Sequence, residues 1–142
     1  MDREEGPYAQ ALSKDARLRL LELLERKIAE ESDRNIKAAR EQGDKVPRRR
    51  VYSEVAMKLN VTHVSVLQML GRKYAPSDRL TEAIIREVYK RDSVEARRLI
   101  LGDLKDQQKR VKQALARLEK MKRDEGNMMQ EQKDVASTGV IT

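Results

Sequence analysis

The sequence predicts an all-α fold, a small helix-turn-helix bundle flanked by an N-terminal leucine-rich helix and a long C-terminal helix. Three observations predict it. Apolar residues recur at steps of three and four along most of the chain, the spacing that lines one face of a helix, and no two segments alternate apolar and polar residues as paired strands do. Aromatic residues make up only 3% of the 142 residues, with no Trp and no Phe, so a core has to be assembled from Leu, Ile, Val, Ala and Met, a palette suited to helices packing on helices. Capping residues and glycines fall at the ends of the periodic runs.

Residues 1–12 are polar and contain Gly6-Pro7, which reads as a flexible N-terminal arm. Ser13 is a natural N-cap for an amphipathic helix over 13–31, with Asp15 in its first turn and Leu18, Leu20, Leu21, Leu23, Leu24 and Ile28 on a broad apolar face. Ser32-Asp33 either opens a second helix, Ile36 to Gln42, or lies within a continuation of the first, and Gly43 is placed to end it. Gly43 and Pro47 punctuate the break that follows, Pro47 suits the first position of a new helix, and Arg48, Arg49 and Arg50 come directly after. Helices are then expected over 51–59, 62–70 and 77–90. Thr62 and Ser77 act as N-caps and Gly71 as a terminator, and residues 32–91 make up the helix-turn-helix domain. Asp92-Ser93-Val94-Glu95 is a capping box that opens the last helix, 92–125, which Gly126 is expected to end. The remainder, 126–142, is polar without sustained periodicity and reads as a disordered tail.

The segment from Tyr52 to Arg72 has a spacing with a mechanical reason. Two short helices that cross steeply need a small residue where they touch, which Ala56 supplies. Four residues later the chain must turn sharply with positive φ, and Asn60 is among the few non-glycine residues that tolerate this. Val55 and Leu59 seal the joint from the first helix, and Val61, Val66 and Met69 from the second. These residues resemble the Cro and C1-repressor type of helix-turn-helix DNA-binding family over roughly residues 34–90. Ile36 to Gly43 looks like that family's opening helix, and Gly71 to Ser77 like its common ending. The chain departs from the family in having Asn60 where glycine is usual, and in a longer connection from Gly43 to Tyr52. The resemblance implies that 62–70 is a recognition helix lying in the major groove of double-stranded DNA. Its outward residues would be Thr62, His63, Val64, Leu67 and Gln68. Gln68 suits bidentate pairing with adenine, His63 a guanine edge or phosphate, and Val64 a thymine methyl. The outward apolar pair Val64 and Leu67 equally suits a neighbouring helix. Arg48, Arg49 and Arg50 before the motif, and Arg72, Lys73 and Arg79 after it, bracket the reading helix where cations grip phosphates.

Composition agrees with a polyanion partner. Lys and Arg number 31 against 24 Asp and Glu, a formal net charge of +7. With no Cys there is neither a disulfide framework nor a thiolate zinc site, and His63, the only histidine, cannot build a metal site with other imidazoles. The carboxylates fall beside Lys and Arg as solvated helix pairs, and no phosphate loop, nucleophile elbow or metal cluster is present, so neither a cofactor nor an enzyme activity is expected. The start lacks the layout of a signal peptide and no apolar run reaches a membrane span, so a cytoplasmic location is expected, at the nucleoid when DNA-bound. Leu101, Leu104, Gln108, Val111, Leu115 and Leu118 follow alternating steps of three and four, a short coiled-coil seam for a homodimer or an amphipathic face for the leucine-rich helix of the same chain. The runner-up expectations are a helical adaptor that binds another protein and a non-specific architectural DNA binder.

Overall fold

The computed structural model describes the backbone of residues 8–141 and the side chains of residues 8–129. It is all-α, with six helices and no strand among the described residues. They are α1 (Tyr8–Ala11), α2 (Lys14–Glu41), α3 (Val51–Leu59), α4 (His63–Arg72), α5 (Asp78–Arg91) and α6 (Ser93–Ile141). One compact unit extends to Leu104; a second begins at Lys105 and consists, among the described residues, of the remainder of α6.

α2 is the centre of the first unit. Ser13 caps it, its hydroxyl accepting the N–H of Ala16 at 3.1 Å. No Gly or Pro interrupts the next 28 residues, and Ser or Asp inside a helix costs only about half a kcal/mol each, so α2 runs straight through Ser32-Asp33 as one helix. Gly43 ends it with φ +72. The Gly43 N–H donates to the Arg40 carbonyl at 3.2 Å and the Asp44 N–H to the Ala39 carbonyl at 2.9 Å, the paired bonds of a Schellman cap. Leu20, Leu21, Leu24 and Ile28 are completely buried, and α2 packs on α3, α4 and α5.

This corrects the expected domain division. The leucine-rich stretch is no separate flanking element: it supplies the core on which the two short helices sit, together with Val55, Ala56, Leu59, Val66, Met69, Ile84 and Val88. The stretch expected as an opening helix, 36–42, is the outer end of α2, where the residues are half-buried or exposed. The arm is corrected as well. Ala9 and Leu12 are buried, and the Ala9 N–H donates to Glu82 on α5 at 2.8 Å, because a short helical turn covers apolar surface that α2 and α5 leave open; the part of the arm over residues 1–7 lies outside the described residues.

Arg17 ties this corner together. Its guanidinium donates to the carbonyls of Pro76, at 3.0 Å, and Ala9, and pairs with Asp78 at 2.7 Å, so one fork holds α1, α2 and the start of α5. Asp92 is the single residue between α5 and α6. Its carboxylate accepts the Glu95 N–H at 3.0 Å and pairs with Lys27 at 3.0 Å, while Ala96, Leu99, Ile100 and Leu104 bring the start of α6 onto the core. Leu104, expected in a dimer seam, is thereby packed within its own unit.

The helix also passes Gly126, where an end was expected, and its backbone remains helical to Ile141. One glycine costs a helix only about 1 kcal/mol, and the residues that follow include the good helix formers Met128, Met129, Gln130 and Glu131. The end of the expected tail, residue 142, lies outside the described residues.

Candidate nucleic-acid interface

α3 ends because Asn60 adopts the left-handed conformation, φ 56 and ψ 46. Its N–H reaches the Met57 carbonyl at 3.2 Å, the Val61 N–H reaches Ala56 at 2.9 Å, and the chain reverses within Asn60, Val61 and Thr62. Thr62 then caps α4, its hydroxyl accepting the Ser65 N–H at 3.2 Å and meeting the Ser65 hydroxyl at 2.9 Å. The apolar joint-making positions of the sequence pattern are buried or half-buried, Val55, Ala56, Leu59, Val66 and Met69 fully and Val61 partly, while Asn60 at the turn is exposed.

With Val66 and Met69 inward, the 100° rotation per residue turns Val64, Leu67 and Gln68 to the opposite side and leaves His63 and Arg72 on its two flanks, and all five are exposed. Four of the five expected base-reading residues therefore share one solvent-facing arc. The fifth, Thr62, is exposed too, but its hydroxyl is engaged in capping. α4 continues through Gly71, expected as its terminator, and ends at Lys73, which takes φ 59 and ψ 40.

A cleft of about 340 Å³ brings the start of α3 beside the start of α4, lined by Arg49, Arg50, Val51, Tyr52, Ser53, His63 and Leu67. Arg50 is the N-cap of α3 and makes no side-chain hydrogen bond to it. The first-turn N–H groups of a helix carry partial positive charge and favour an anion; Glu54 supplies one negative charge in the first turn of α3, but with Arg50 in place of the usual Asp or Ser no side chain caps its N–H groups. An oxyanion in this cleft would meet both the helix end and the guanidinium groups. The arginine run lies in the irregular segment before α3, which spans 51–59 as expected, and Pro47, although suited to a first helical position, opens no helix.

The expected phosphate contacts divide. Arg49 and Arg50 line the cleft, Arg49 being also held by Asp33 of α2 at 3.0 Å. Arg48 is exposed in the same segment, and Arg72 is exposed on the flank of α4. Lys73 is turned to Glu22 of α2 at 3.2 Å, and Arg79 is exposed on the first turn of α5, with no contact that joins it to the cleft. Tyr52 and Ser53 were not expected as site residues. Tyr52 lines the cleft while its hydroxyl hydrogen-bonds Glu25 of α2; the charge of that carboxylate, together with burial, pushes the phenol above its ordinary range. Their only sequence signal is their position at the start of the first motif helix, directly after the arginines.

Among the described residues no group of three or more His, Cys, Asp or Glu is placed to hold a metal ion, and no helix is long and apolar enough to cross a membrane. Compared with known proteins, the chain matches no family model, no curated protein and no solved structure.

Proposed function

We propose that the chain is a sequence-specific double-stranded DNA-binding transcription regulator, a homodimer that reads an inverted repeat through the major groove in the manner of Cro and C1-type repressors. The observation that carries this reading is the exposed arc of α4 lying beside an arginine-lined, uncapped helix start. α4 is short enough to enter the groove, His63 and Gln68 supply base-edge hydrogen bonds, and Val64 and Leu67 supply apolar contact. Arg49, Arg50 and the N-terminus of α3 grip the adjoining phosphates. The net charge of +7 adds a sequence-independent attraction. No catalytic step is assigned to the chain.

Selection of bound duplexes from a random pool tests the proposal. The expected product is a palindromic consensus bound at least about 10³-fold more tightly than random duplex. Equal affinity for every duplex would replace this reading with a non-specific architectural one. The exposure of Val64 (50%), Leu67 (44%) and Met57 (79%) favours a protein-binding adaptor as the second reading, and negligible affinity for any duplex at low salt would select it.

A further inference from the structure

In the second unit, α6 carries an apolar face with no partner among the described residues: Val111, Leu115, Leu118 and Met121 are each more than half exposed. In a heptad frame Gln108, Leu115 and Lys122 occupy one set of core positions, and Val111, Leu118 and Glu125 the other. Ala114, Met121 and Met128 widen the stripe on one side, while Lys105, Lys112 and Glu119 flank it on the other.

We infer that this face pairs with a second copy of the chain in antiparallel orientation, Leu115 lying against the partner's Leu118. The inference rests on the homodimeric reading above and adds its direction and register. Charge decides the direction. A parallel pair, in which each core residue meets its own copy, would set Lys122 against the partner's Lys122 and Glu125 against the partner's Glu125, two like-charge layers inside the seam. The antiparallel pair sets Gln108 against the partner's Glu125 and lays the Lys122 stem over the partner's Val111, its ammonium free to reach water.

Charge also decides the register. With Leu115 on the partner's Leu118, Lys112 faces the partner's Glu119 twice, once on each side of the two-fold axis. A shift of one heptad brings Lys112 against the partner's Lys112 in one direction, and Glu119 against the partner's Glu119 in the other. Lys105 then lies near the partner's Met128, so the two Lys105 residues stand about 35 Å apart along the seam at about 1.5 Å per residue.

The chain has no cysteine of its own, so single-cysteine variants of the full chain test the arrangement directly. Gln108→Cys and Glu125→Cys chains are oxidised mildly, each alone and as an equimolar mixture. The antiparallel seam predicts a mixed disulfide that dominates in the mixture, and little crosslinking in either variant alone. Self-crosslinking of each variant alone, without the mixed product, overturns the antiparallel arrangement and leaves a parallel dimer. A monomer by sedimentation at about 100 μM overturns the dimeric reading itself, whereas the selection experiment separately measures DNA recognition. Charge reversal supplies a second readout: Lys112→Glu weakens association about tenfold or more and adding Glu119→Lys restores it, since two ion pairs are inverted and then re-formed. Failure of the double variant to restore association rejects the register.

Discussion

At Asn60 a single backbone angle decides whether two helices can meet. With φ at 56, a Cβ crowds the following carbonyl oxygen; Asn offsets this because its short polar side chain can hydrogen-bond locally, Ala cannot, and Gly, with no Cβ, is indifferent to it. Asn60→Ala should therefore lower unfolding stability by about 1 kcal/mol, and Asn60→Gly should stay within roughly half a kcal/mol of the parent, both read from urea unfolding. Asp92 sets a pH dependence. The Glu95 N–H, and after it Lys27, hold its carboxyl below the ordinary range. Burial pushes Glu87 up, but hydrogen bonds and charge from Lys90 and Arg91 outweigh it and hold that carboxyl low as well. Both groups are thus more acidic folded than unfolded. Their stabilisation is fully present above the ordinary pKa values near 3.8 and 4.5 and is lost as pH falls through the lower folded values. Thermal melts should hold level down to about pH 5 and fall below it, and Asp92→Asn should show a shallower fall than the parent. Caps of this kind are legible in sequence because the side chain and the N–H it accepts are three residues apart: Ser13, Thr62, Ser77 and Asp92 all cap as their types indicate. Lys73 was not legible, since nothing local marks a lysine for left-handed backbone; its bond to Glu22, 51 residues distant, is part of what holds it.

Among the elements, α2 determines how the others sit. Its leucines are the common floor of α3, α4 and α5, so Leu24→Ala, at a completely buried position, should cost about 2–5 kcal/mol in urea unfolding. Leu115→Ala on α6 should leave the stability of the first unit unchanged, because that side chain is 53% exposed and lies in the other unit. Arg17→Ala should cost roughly 2–3 kcal/mol, the worth of charge-assisted hydrogen bonds to carbonyls left without their donor. The joint of α3 and α4 was readable residue by residue, since Ala56, Asn60 and Val66 answer to each other within ten positions. The bundle around it was not. Periodicity marks which face of residues 13–31 is apolar but not what covers it, and the covering helices lie 20 to 80 residues further along. Nor did local signals show that α2 would pass Ser32-Asp33, because both residues are acceptable as caps and only mildly unfavourable inside a helix. The outward arc of α4 was legible from the joint alone: once Val66 and Met69 face in, Val64, Leu67 and Gln68 must face out, with His63 at the edge of the arc. The cleft was less so, because it takes the fold to bring Arg49 and Arg50 next to His63.

For the molecule as a whole, the proposed function divides the work: charge would govern how strongly DNA is held, and α4 would govern which DNA. Affinity should fall linearly with salt on logarithmic axes. Arg50→Ala should weaken binding to all duplexes alike and reduce the slope by about one; Arg50 is a cleaner probe than Arg49, whose replacement also frees Asp33. The antiparallel seam we infer would add two-fold symmetry, so that base preferences should come in pairs related by the centre of the operator. The central claim is that the outward face of α4 reads base edges, and Gln68 tests it most directly. Binding of the parent and of Gln68→Ala to the selected duplex, and to duplexes changed at each base pair in turn, should show the parent losing about 1–3 kcal/mol at one symmetric pair of positions where the variant is indifferent. If Gln68→Ala instead keeps the full base preference of the parent at every position, α4 does not read the groove through this face and the account fails.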